Sequence, residues 1–334
     1  MIFLSIVIPH YNLPRELLKR CIESIINQKQ EQGSCEIIVV DDGSDTPPAW
    51  LNDCYPNEVV RLINIEHAGL GAARNAGMLE ARGKYIQFID ADDCLIPDSM
   101  NECIELLHME APQILRFRYR ICPNEQSIQE KPKTERFKYS YTISGAAYMA
   151  GNNLPGSSCI YFFQKDLAIK HNITFKESVF HEDEEFSTKL HFFATSLINT
   201  NAQIYNYCIR KESITSNTNN EFEEKRINDI FGILKRLTLF RNTNKHNCNT
   251  IQKKAIERKL TMLTADTLLN LFYNGEKAKD IKRLCKGELQ PIGLYPLPSG
   301  KYGLKYRIFR ILANNTIGLR MLRILLPKEK PQKR

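Results

Sequence analysis

Residues 84–94, KYIQFIDADDC, constrain the fold more than any other stretch, because a short apolar run passes directly into three carboxylates. Tyr85, Ile86, Phe88 and Ile89 are aromatic or β-branched and predict a buried strand, which puts Asp90, Asp92 and Asp93 at its carboxyl end. In an open α/β sheet that edge is where ligands bind. Carboxylates this close repel one another unless a cation sits among them, and hard oxygen donors select Mg²⁺ or Mn²⁺. A D-x-D pattern alone is short and common, and solvated aspartates with Asp92 or Asp98 capping the next helix satisfy it as well. Other stretches decide between the two.

Apolar runs of strand length also occur at 4–8, 36–40 and 60–65. Between the first two, residues 14–28 begin with Pro14 at a tolerated first-turn position and carry Leu17, Leu18, Cys21, Ile22 and Ile25 on one helical face. Residues 69–83, GLGAARNAGMLEARG, are small and helix-forming, with Gly83 as a stop. Strands alternating with helices predict an α/β fold, a mostly parallel sheet with helices on both faces. Beyond Cys94, residues 101–109 are expected to be helical, 121–140 to form a loop or hairpin, and 221–284 to add a helical region.

Ten cysteines scattered without a C-x-x-C pair exclude a zinc ribbon or disulfide framework and predict a reduced, cytoplasmic protein. The apolar amino terminus lacks a basic leader and meets Pro9 early, so it is expected to be a strand and not a signal or membrane span. The net charge of +8 is concentrated in residues 301–334, where ten Lys or Arg face Glu329 alone. The remainder is close to neutral, which argues against a nucleic-acid partner.

Several stretches carry candidate chemistry. In VVDDGSD, Asp41 and Asp42 end a strand before a Gly turn, where a carboxylate can accept the imide N–H of uracil; a turn that simply needs Asp and Gly fits too. In HAGLGAARNAG two glycines open a helix whose free N–H groups suit an anion, with Arg74 one turn in, able to reach a phosphate or base. The order G-x-G-x-x-G of a dinucleotide fingerprint is missing. In FHEDEEF, Glu184 and Glu185 complement a helix dipole, and either Glu182 or Asp183 can serve as a general base.

In this order SIVIPHYN, EIIVVDDGSD, GLGAARNAG, YIQFIDADD and FHEDEEF resemble the glycosyltransferase family 2 pattern over residues 5–215. The resemblance implies a GT-A fold over 1–216, binding a nucleotide-sugar within about 1–100 and an acceptor within about 101–216. A helical region over 217–300 and a basic amphipathic tail over 301–334 are expected to follow. It further implies that Pro9 and Tyr11 line the nucleotide pocket, Asp42 meets the base and Arg74 lies beside the nucleotide. Asp90, Asp92 and Asp93 would share the ribose and metal contacts, with Asp183 as the base. YNYCIRKESIT resembles the family's Y-x-Y-x-x-R-x-x-S-I-T segment, where Arg210 can pair with the leaving diphosphate and Ser213 can add a hydroxyl. Many relatives carry a Trp and a basic residue ahead of the acceptor-side Tyr, whereas this chain has SSCIYFF at 157–163, so the acceptor pocket cannot be borrowed from them.

The resemblance thus implies a metal-dependent, inverting hexosyltransferase of bacterial polysaccharide biosynthesis, using a UDP-sugar and a glycan or lipid-linked acceptor. The competing expectations are a non-catalytic nucleotide-sugar binding or scaffold protein and a nucleotidyltransferase. The latter needs an early Gly-rich loop, and PHYNLPREL has none. The tail interleaves aromatic and aliphatic residues with basic ones, as a segment lying on an anionic membrane surface does, which would place the protein on the inner face of the cell membrane. A helix pair docked on the body is the alternative.

Overall fold

The computed structural model of the protein describes residues 2–28, 34–129, 135–210, 220–300 and 302–326. The chain divides into two compact units, Met1–Tyr148 with Pro155–Glu223 and Met149–Leu154 with Glu224–Arg334. The boundary expected at residue 216 falls outside the described residues.

The first unit is built on eight strands: β1 (Leu4–His10), β2 (Cys35–Asp41), β3 (Val60–Asn64), β4 (Tyr85–Phe88), β5 (Cys94–Leu95), β6 (Ile114–Cys122), β7 (Tyr161–Gln164) and β8 (Leu197–Cys208). They form one sheet in the order β3-β2-β1-β4-β7-β6-β8-β5. Its helices are α1 (Arg15–Ile26), α2 (Leu51–Cys54), α3 (Leu70–Glu80), α4 (Asn101–Glu110), α5 (Glu125–Gln129), α6 (Gly145–Gly151, running on into the second unit), α7 (Lys165–Lys170) and α8 (Glu182–Phe193).

From β3 to β4 every pairing is parallel, as the alternation of strands and helices predicts. Past β4 the sheet becomes mixed: β7 runs antiparallel to β4 and β6, while β6 and β8 are parallel. The chain leaves β1 toward β2 on one side and later returns to β4 on the other. That reversal opens a crevice at the carboxyl ends of β1 and β4, the usual ligand position in such sheets.

All seven residues of β1 and all four of β4 are buried, which is why these strands read as continuous apolar runs. Helix α3 lies close against β1 and β2 because Gly77 has no Cβ; a methyl there would collide with Val7 and press on Val40. Phe88, Phe163, Phe175 and Phe186 pack ring against ring beneath the crevice and fasten α8 to the sheet.

The second unit holds α9 (Asn220–Asn244), α10 (Thr250–Tyr273), α11 (Ala278–Leu284), a π-helical turn at Cys285–Leu289, α12 (Leu304–Ala313) and α13 (Thr316–Leu325). Among the described residues, the expected region is thus helical over 220–289 for the most part, and the tail over 304–325. A capping box between Asn249 and Gln252 starts α10. Phe309, Ala313, Leu319 and Leu322 bury the inner face of the α12–α13 hairpin, and Asn314 locks the turn by pairing with both backbone groups of Leu297.

Candidate active site

Asp90, Asp92 and Asp93 follow β4 as expected, but their side chains diverge. Asp93 is turned under the sheet, where Oδ2 accepts the Tyr205 hydroxyl at 2.5 Å and Oδ1 accepts the Cys208 N–H at 2.7 Å. Each of its oxygens thus takes a hydrogen bond from β8, where the sequence reading expects Asp93 to share the ribose and metal contacts. Asp92 reaches the crevice and pairs with Arg210 Nε at 2.6 Å, while Arg20 donates to its backbone carbonyl at 2.7 Å. Burial, then the neighbouring Asp90, push the Asp92 carboxyl above its ordinary value, with Arg210 opposing. Asp90 is a third exposed and gives one oxygen to Arg74 at 2.8 Å.

Arg74 departs furthest from expectation. The short residues around it let its side chain turn inward, where it is 3% exposed, beneath Phe175. Its two terminal nitrogens bridge Asp90, at the end of β4, and Glu182, the first residue of α8. It is a strut between the two acidic stretches, its two terminal nitrogens already paired. The same bond sets the two candidate bases in different surroundings. Glu182 is buried against Arg74, whereas the half-buried Asp183 makes no hydrogen bond or ion pair among the described residues. Burial, and after it the charges of Glu182 and Glu184, push the Asp183 carboxyl well above the usual range. A half-open carboxyl with a raised pKa is a stronger base than an ordinary carboxylate. His181, in left-handed backbone at φ 62°, sets the start of α8 and so the direction of Asp183.

The β2 carboxylates divide similarly. Asp41 is buried and holds His10 Nδ1 at 2.8 Å and the Ser44 hydroxyl at 2.6 Å, so it shapes the turn. Asp42 accepts the backbone N–H groups of Ala68 and Gly69, both at 2.9 Å, and fixes the loop before α3. Pro9 is buried in β1, while Tyr11 projects from the rim, 45% exposed, and stacks on His67 at 4.3 Å. An aromatic pair thus stands at the rim of the crevice. Ser213 lies outside the described residues.

Residues 5–171 match the family described as Glycosyl transferase family 2. The chain belongs to this family. Among its curated family relatives, it is 27% identical over 220 residues to the uncharacterized glycosyltransferase YibD of Escherichia coli K12, covering 64% of this chain and 63% of that protein. It is 28% identical over 222 residues to the putative glycosyltransferase EpsH of Bacillus subtilis 168, covering 63% and 62%. The matches thus span less than two thirds of either relative. Among solved structures, S. aureus TarS 1-349 in complex with UDP-GlcNAc superposes with a TM-score of 0.71 at 15% identity, over 96% of this chain and 89% of that one. The mannosyltransferase PcManGT of Pyrobaculum calidifontis, in complex with GDP-Man and Mn²⁺, gives 0.55 at 14% identity, over 96% and 87%. The fold is the expected GT-A fold with a helical carboxyl-terminal region.

Sequence reasoning missed Arg20, whose guanidinium leaves the polar side of α1 for the Asp92 carbonyl, and His67, which carries the Tyr11 stack. A basic residue on an amphipathic helix reads as solvated, and nothing local marks Arg20 as different. His67 opens the glycine stretch and was legible by position alone.

Proposed function

We propose that the protein is an inverting glycosyltransferase that moves a sugar from a nucleotide-diphosphate sugar, a UDP-sugar by preference, to a glycan or lipid-linked acceptor of bacterial polysaccharide. The observation that carries this reading is the opposition of two acidic stretches, one after β4 and one at the start of α8, across one buried arginine. Asp90 and Asp92 stand on the β4 side, Asp183 stands free on the α8 side, and Arg74 holds the two sides in register. A single displacement at an anomeric carbon requires this division between leaving-group stabilisation and proton removal.

Asp90 and Asp92 are the residues to hold Mn²⁺ or Mg²⁺. Among the described residues no three His, Cys, Asp or Glu side chains converge on one point. Two carboxylates suffice, however, for a cation whose other ligands are diphosphate oxygens and water, and the raised Asp92 carboxyl fits a missing counter-charge. When bound, such a cation neutralises charge on the diphosphate. Arg210, now on Asp92, lies within reach to do the same once displaced. Tyr11 offers its ring to the base, and Asp42 holds the loop beneath it. Asp183 takes the acceptor proton.

Asp92→Asn should abolish Mn²⁺-dependent UDP binding while leaving the circular dichroism spectrum unchanged. Calorimetric titration with UDP, with and without Mn²⁺, tests this; equal affinities in wild type and variant under both conditions reject the assignment.

The same reading places the protein on the inner membrane surface. Among the described residues no helix is long and apolar enough to cross a membrane. Leu304, Ile308 and Ile311 of α12 and Ile317, Met321 and Ile324 of α13 each follow an i, i+4, i+7 spacing and are exposed, Ile317 by 73% and Ile324 by 82%. Lys305, Arg307, Arg310, Arg320 and Arg323 accompany them, and residues 302–326 contain no acid. An apolar face flanked only by cations is complementary to an anionic bilayer, and each basic residue contributes on the order of 1 kcal/mol there. The double variant Ile317→Ser, Ile324→Ser should bind phosphatidylglycerol vesicles at least about tenfold more weakly. Sedimentation with vesicles measures it; undiminished binding removes the membrane from the proposal.

A further inference from the structure

The first unit contains a pocket of about 340 Å³ that the chemistry above does not use, lined by Arg116, Arg118, Tyr119, Tyr148, Ile160 and Asn199 among others. Its floor is Arg116, 97% buried by its 3% exposure. Among the described residues the guanidinium has one hydrogen bond, from Nη1 to His191 Nε2 at 3.0 Å, and its Nε is sealed from solvent without a partner. The imidazole supplies no counter-charge. His191 Nδ1 sits 2.8 Å from the Ser187 carbonyl, which can only accept, so Nδ1 carries the proton and Nε2 the lone pair. The other neighbours are the faces of Tyr148 and Tyr161, at 4.9 and 5.8 Å. Among the described residues no carboxylate pairs with Arg116, so a buried positive charge is left uncompensated.

The local backbone is also unusual. The β6–β8 register shifts on both sides of Arg118, so that extra β8 residues oppose this part of β6. Such irregularities re-aim side chains beside functional sites. Here the shift accompanies exposed Arg118 and Tyr119 at the pocket mouth, above buried Arg116.

We infer that this pocket binds an oxyanion, a phosphate or carboxylate, carried by the acceptor. The inference rests on the glycosyl-transfer reading for the word acceptor, and on Arg116 for the anion. His191, which touches Arg116, follows Asp183 by eight residues on α8, about 12 Å along the helix axis. The pocket therefore engages a part of the acceptor distant from the reacting hydroxyl. An anion there completes the donors of Arg116, with Arg118 at the mouth, where its only counter-charge among the described residues is the exposed Glu135 at 3.8 Å.

The test titrates the full-length protein, with and without saturating UDP and Mn²⁺, against inorganic phosphate and separately against glucuronate, at constant ionic strength. Binding is read as a rise in thermal unfolding midpoint. At least one probe should raise the wild-type midpoint saturably with nucleotide bound, and its apparent affinity should fall at least about tenfold in Arg116→Gln. Arg118→Glu guards against a folding defect at the buried site. It brings a carboxylate to the exposed mouth, so the protein should fold and lose the anion response while keeping its UDP affinity. A stronger phosphate response indicates a phosphate-bearing acceptor, and a stronger glucuronate response an acidic sugar. No saturable response to either probe, or a response unchanged in Arg118→Glu, overturns the inference. Nucleotide binding is measured in the same series, so its failure is read separately from failure of the anion pocket.

Discussion

Asp183→Asn should lower sugar transfer by roughly 10²-fold or more while leaving donor binding intact, because the amide keeps the shape of the side chain and cannot accept a proton. Glu182→Gln should be milder in its effect on the chemical step, since Glu182 is engaged with Arg74. The wild-type pH profile carries the same information. Burial and the flanking glutamates raise the Asp183 carboxyl, so kcat/KM should climb with pH through a limb lying above the ordinary carboxylate range. Stability should move oppositely. A carboxyl raised in the folded state binds its proton more tightly there than in the unfolded chain. Its contribution is intact below the unfolded value and is lost as pH rises through the folded one. Asp183→Asn should therefore be more stable than wild type near neutral pH and lose that advantage in acid. Full transfer by Asp183→Asn, with Glu182→Gln inactive, would exchange the two roles.

Arg74→Met should be the most destabilising single change in the first unit. It leaves Glu182 buried without its counter-charge and frees Asp90, and breaking a buried pair from one side costs about 3–5 kcal/mol. Removing the orphaned charge as well, in Arg74→Met with Glu182→Gln, should restore a large part of the loss. Denaturant unfolding followed by the fluorescence of Trp50, the single tryptophan of the chain, reports on this unit. A double variant no more stable than Arg74→Met would mean that the arginine acts through packing against Phe88 and Phe175 instead of through charge.

The parts of this architecture that could be read in the sequence are those fixed by neighbours in the chain. Strands β1, β2 and β4 are buried on both faces, so their apolar runs are unbroken, and the acids at their ends announce the crevice. Strand β6 was not legible, because Arg116, Arg118 and Arg120 interrupt its apolar residues. One of these arginines is buried in the pocket and another exposed, and no local signal separates them. The same limit applies within the site. That Asp92 faces the crevice and Asp93 the core depends on Tyr205 and Cys208, more than a hundred residues away. Likewise, Arg74 becomes a strut only when α8 brings Glu182 beside it, 108 residues downstream.

The carboxyl-terminal hairpin was expected either to dock on the body or to lie on lipid, and it has one buried and one exposed apolar face. Phe309, Ala313, Leu319 and Leu322 already fix both helices against their own unit, with Asn315 capping α13. A bilayer would therefore meet helices that are already formed, and no coil-to-helix entropy would be spent on landing. On the proposed membrane reading, attachment of this kind would be reversible, would depend on ionic strength and lipid charge, and would leave the helical content of 304–325 the same on and off the membrane.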